Sequence, residues 1–104
     1  MQGSTITCLV IVAESIVEQR LLADLTECGA RGWTLTAAQG HGPRNRRVSE
    51  VEGGNIRVEV LADDAVIGRI WEKLERNYFP NYALAAWSYP VTVARGERYG
   101  TPGA

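Results

Sequence analysis

Histidine and lysine occur once each in this 104-residue chain, as His41 and Lys73, and cysteine only twice. Cys8 and Cys28 form no CxxC pair and stand at no His/Cys spacing suited to a structural zinc, so no metal site is expected and both read as buried thiols of a reduced compartment. No Ser/His/Asp or Cys/His set is present and the carboxylates are scattered, which argues against an enzyme. The opening Met1-Gln2-Gly3-Ser4 carries no basic region, and the apolar run Ile6 to Ala13 is too short for a secretory signal or a membrane span. A cytoplasmic protein without direct membrane insertion is the expectation. The net charge of -1 argues against nucleic-acid or membrane-surface binding driven by overall charge, so any anion recognition must be local. No internal repeat, low-complexity stretch or linker divides residues 1–104, which read as a single domain.

The residues present set out an order of elements. Thr5 to Ala13 is β-branched and apolar at its centre, as for a strand inside a sheet. Ser15-Ile16-Val17-Glu18 matches a capping box at the head of a helix whose buried stripe is Val17, Leu21, Leu22, Leu25 and Cys28, with Gly29 and Gly32 as the stop. Trp33 to Ala38 reads as a second strand. Asn55 to Leu61 reads as a third, its alternation separating Ile56, Val58 and Val60 from Arg57 and Glu59. Asp63 or Asp64 caps a second helix with Val66, Ile67, Ile70, Leu74 and Tyr78 inward. Leu84 to Tyr89 and Val91 to Ala94 are the last strand material, interrupted by Pro90, which suggests a bulge or an edge. The tail, about 95–104, orders only against something else.

The order β-α-β-β-α-β predicts an α+β, ferredoxin-like fold with an antiparallel sheet and two helices on one face. Two helices cover one face only. The simplest cover for the other is the same face of another subunit, packed sheet to sheet.

Between the second and third strands lies Gly40-His41-Gly42-Pro43-Arg44-Asn45-Arg46-Arg47. Glycines without Cβ atoms let backbone amides approach an anion, and the arginines offer forked donors for phosphate or carboxylate. The same stretch also reads as an ordinary solvated loop.

Three stretches resemble the PII-like signalling proteins, and most closely the branch associated with carboxysomes and bicarbonate transport. The first is Ile11-Val12-Ala13-Glu14 with the helix ending Cys28-Gly29-Ala30-Arg31-Gly32-Trp33-Thr34. The second is Gly40-His41-Gly42-Pro43-Arg44-Asn45, similar to the Gly-x-Gly-x-Arg-Asn at the root of the family's T-loop, here about residues 39–54. The third is Arg57-Val58-Glu59-Val60-Leu61 together with Phe79-Pro80-Asn81-Tyr82-Ala83. Departures are a C-terminus without a cysteine pair and a short loop without the tyrosine that some nitrogen-regulating relatives uridylylate.

The resemblance implies a homotrimer that binds an adenine nucleotide, AMP or ADP, in clefts between subunits, with bicarbonate as a second small anion. Its T-loop would switch a protein target such as a transporter or an enzyme of carbon metabolism. On that likeness Thr34, Gly40, Gly42 and Arg44 lie at the cleft, the glycine amides and Arg44 meeting phosphate. Leu84, Ala85 and Ala86 offer backbone contacts to the base and Trp87 reaches the adenine. Asn45, Arg46, Arg95 and Arg98 are further candidates for phosphate or bicarbonate, while Arg46 and Arg47 read equally as partner-facing or solvated loop charges. His41 reads as exposed, Trp33 and Trp71 as core or interface aromatics, and Glu59 as readily as a partner for an arginine across the sheet or interface as a ligand contact. Two other readings share the topology: a dimeric α+β barrel enzyme acting on a small organic substrate, and a metal-tolerance trimer, against which the lone histidine speaks.

Overall fold

Residues that alternate between two environments make the sheet, and the four strands are ordered by which of those environments each can fill. The computed structural model describes residues 3–39 and 54–99. Strand β1 is Ser4–Glu14, followed by a 3-10 turn at Ser15–Val17 and helix α1 at Glu18–Cys28. Strands β2 (Thr34–Ala38) and β3 (Asn55–Ala62), helix α2 (Asp64–Asn77), strand β4 (Leu84–Val93) and a 3-10 turn at Gly96–Tyr99 complete the order. The sheet runs β2-β3-β1-β4 with antiparallel neighbours throughout. This is the ferredoxin-like α+β arrangement.

The most apolar strand occupies an interior position, where both edges are paired and one face packs against the helices. In β1, Leu9, Val10 and Ile11 are completely buried. Leu9, Ile11 and Ala13 oppose Val60, Val58 and Ile56 of β3, and these six pack with Leu21 and Leu25 of α1 and Ile67, Ile70 and Leu74 of α2 into one core. Fully burying a Leu or Ile side chain is worth about 1.5–3 kcal/mol, so this two-layer core is the main source of stability. The helical stripe Val66, Ile67, Ile70, Leu74 and Tyr78 is buried throughout, as its spacing predicts.

Helix ends differ from the sequence reading in instructive ways. The capping box at Ser15 does not form: Ser15 lies in the 3-10 turn, no side chain caps it, and α1 begins only at Glu18. The physical reason is that the Ser15 N–H is already taken, donating to the Gly54 carbonyl at 2.9 Å. At the other end Gly29 alone makes the stop. It adopts φ +108, and the Gly29 and Ala30 amides return to the Thr26 and Leu25 carbonyls at 3.0 Å each, a Schellman-type closure needing no second glycine. Gly32 therefore lies beyond the stop. Of the two candidate caps for α2, Asp63 accepts from the Val66 amide at 3.0 Å, and Asp64 instead accepts from the Thr7 hydroxyl at 2.8 Å.

Two strand boundaries also move. Strand β2 starts at Thr34, leaving Trp33 outside it and 38% exposed. Pro90 does not interrupt the last strand: among the described residues β4 is an edge, where a residue without an N–H is tolerated. It stays in register opposite Thr7 within one continuous strand.

Candidate functional site

Strand register places the predicted site residues relative to one another. Thr34 of β2 opposes Glu59 of β3, Glu59 opposes Val10 of β1, and Val10 opposes Trp87 of β4. Directly opposed residues share a face, so these four form one transverse row on the face away from the helices. Thr36, Arg57, Val12 and Ala85 form the adjacent row.

On that face Trp87 is 42% and Tyr89 41% exposed, although the face is apolar enough to bury Cys8 and Val10. The Arg57 guanidinium stands 5.7 Å from the Trp87 ring centroid, close enough for a cation–π contact. Glu59 pairs with Arg57 of its own strand at 4.0 Å rather than with an arginine across the sheet. Both side chains are near 40% exposed, so the pair adds little stability.

The four β4 positions divide. Ala85 and Trp87 lie on the open face, whereas Leu84 and Ala86 pack against the helical core. Backbone contacts nevertheless remain available along the whole segment: β4 pairs on one side only among the described residues, and an edge strand keeps a row of free N–H and C=O groups.

Thr34 and Trp87 sit on opposite edge strands, three strand spacings or about 14 Å apart. Arg95 and Arg98 are exposed and follow the end of β4, whose Val93 opposes Ser4, at the end of β1 remote from Glu14. Arg95 takes φ +56 and its carbonyl accepts from the Arg98 amide at 3.0 Å. The part of the tail up to Tyr99 packs back on the chain: Arg31 donates to the Glu97 carbonyl at 3.1 Å, and Gly96 is buried. One chain thus holds Thr34 and the β4 edge apart, while the Arg31–Glu97 bond brings the segment of Arg95 and Arg98 to the chain that enters β2. Gly40, His41, Gly42, Arg44, Asn45, Arg46 and Arg47 lie outside the described residues, as does the tail beyond Tyr99.

A second arrangement fixes the turn that delivers β4. Arg20 lies over the Tyr78 ring at 4.8 Å and the Tyr82 ring at 5.9 Å, and Tyr78 donates its hydroxyl to Asp24. Burial, reinforced by that bond, holds the Tyr78 hydroxyl well above the usual phenol range. On the opposite flank the Ala83 amide donates to Glu14 at 3.3 Å. Sequence reasoning assigned no site role to Glu14 or to Asn55, the latter only 3% exposed. The available signal was a carboxylate ending a strand that is otherwise apolar at its centre.

The model of the nitrogen regulatory protein P-II family matches residues 6–98. The chain belongs to that family. A PII-like signalling protein from Thermus thermophilus is 39% identical, the match covering 95% of this chain and 99% of that one with a TM-score of 0.82. CPII from Thiomonas intermedia, solved bound to ADP and bicarbonate, is 15% identical with 94% and 97% covered and a TM-score of 0.84. GlnK from B. subtilis is also 15% identical, at 85% and 86% coverage and a TM-score of 0.62. These last two likenesses are of fold.

Proposed function

We propose that this P-II family protein is a non-enzymatic, cytoplasmic regulator that binds AMP or ADP, with bicarbonate as a second anion, in clefts between the subunits of a homotrimer. The loop about 39–54 carries the signal to a protein target, a transporter or an enzyme of inorganic carbon metabolism.

The observation that carries this reading is the placement of Thr34 and Trp87 on one face but opposite edges of the sheet. A small ligand touching both the β2 side and the β4 edge needs one from each of two chains. Sheet-to-sheet packing supplies that second chain and covers Trp87 and Tyr89 at the same time. The CPII structures bound to ADP, AMP and bicarbonate support the choice of ligand. On this reading Thr34, Gly40, Gly42 and Arg44 receive the phosphates, Leu84 to Trp87 the base, and Asn45, Arg46, Arg95 and Arg98 the outer phosphate or bicarbonate oxygens. Arg44 contributes a charge-assisted pair strengthened by partial desolvation.

Calorimetric titration with AMP, ADP, ATP and cyclic AMP, alone and with bicarbonate, tests the proposal. Saturation near one nucleotide per chain, weakened by Arg44→Ala, is the expected result. Absence of binding to all four overturns it.

A further inference from the structure

Glu14 ends β1, the strand that lies between β3 and β4. Its carboxylate accepts from the Ala83 amide through Oε2 at 3.3 Å, immediately before β4 begins. The next residue, Ser15, donates its N–H to the Gly54 carbonyl at 2.9 Å, immediately before β3 begins. The junction Glu14–Ser15 is therefore bonded on one side to the strand proposed to hold the base and on the other to the root of the segment that follows β2.

Asn55 adds the decisive feature. It is the direct register partner of Glu14, so the two side chains leave the sheet on the same face with Cβ atoms about 4.5–5.5 Å apart. Its side chain is buried, and neither Nδ2 nor Oδ1 has a partner among the described residues. An unpaired buried amide is unfavourable and is rare in folded proteins. The Glu14 carboxylate, with several lone pairs, makes only the long bond to Ala83 among the described residues. One acceptor thus stands between two donors, one engaged and one waiting.

We propose that Glu14 is a positioning residue of the nucleotide site, whose carboxylate exchanges the Ala83 amide for the Asn55 side-chain amide when a nucleotide occupies the β4 edge. The inference rests on the nucleotide-binding reading. Ligand contacts along Leu84 to Trp87 shift the turn at Ala83, the carboxylate leaves it for Asn55 Nδ2, and Asn55 draws Gly54 with it. The exchange couples the two sides because ligand and free protein prefer different partners for one carboxylate.

The test is a titration of the full chain with ADP and with AMP, followed by nuclear magnetic resonance of the Ala83 N–H and the Asn55 side-chain NH2, with binding measured in parallel by calorimetry. In the expected result the Ala83 signal moves to the position of a weaker hydrogen bond while the Asn55 signal moves to that of a stronger one, both with the calorimetric midpoint. In Glu14→Ala the Asn55 response is lost even at nucleotide concentrations that saturate the variant in the calorimeter. Asn55→Ala gives a second reading should that variant not fold: Ala83 then keeps its bonded position on nucleotide addition. Saturable binding with an unmoved Asn55 amide, or an Asn55 response that survives Glu14→Ala, overturns the role of Glu14 alone. No binding of ADP or AMP overturns the nucleotide reading and this inference with it.

Discussion

The Arg57 guanidinium reaches the Trp87 ring across the width of β1, placing a cation over an exposed indole on the face that the helices leave open. If a second subunit covers that face, a carboxylate there meets apolar neighbours. Trp87→Glu is expected to convert the assembled protein to single chains in sedimentation at micromolar concentration, with the wild type sedimenting as three. A wild type that is already monomeric, or a variant that stays assembled, rejects sheet-to-sheet packing.

The two candidate helix starts should respond differently to alanine. Asp63→Ala removes the acceptor of the Val66 amide and is expected to cost about 1 kcal/mol. Ser15→Ala removes no cap and should stay within about 0.5 kcal/mol. Urea denaturation with unchanged slopes measures both; a larger loss for Ser15→Ala would restore the capping box.

Alkaline pH should loosen the helix pair. Burial raises both the Tyr78 hydroxyl, from its ordinary 10.0, and the Cys28 thiol, from 9.0. In each group the folded state holds its proton more tightly than the unfolded one. That contribution is complete below the ordinary values and is lost as pH rises above about 9 to 10. Stability is therefore expected to fall in that window, and less steeply in Tyr78→Phe. The variant itself should lose about 1.5 kcal/mol at neutral pH from the bond to Asp24. A slope identical in both proteins would remove Tyr78 as a cause.

The Leu21-Leu25-Cys28 and Val66-Ile67-Ile70-Leu74 stripes were legible in the sequence because helical periodicity is a property of neighbouring residues. So was the alternation of Arg57 and Glu59 against Ile56, Val58 and Val60, and so was the family, through short motifs in a fixed order. The failed capping box at Ser15 shows the limit. A local pattern offered a cap, but an amide 39 residues from its acceptor in sequence had already been claimed by Gly54.

The sequence by itself determined which helix and strand positions face the helical core, since helical and alternating periodicity are properties of neighbouring residues. Only the tertiary structure decided that Thr34 and Trp87 share a face on opposite edges, and that Glu14 stands between Ala83 and Asn55. Those relations depend on strand order and register. Both are set by non-local hydrogen bonding of β1 to strands more than forty residues downstream, which no local window of the chain contains.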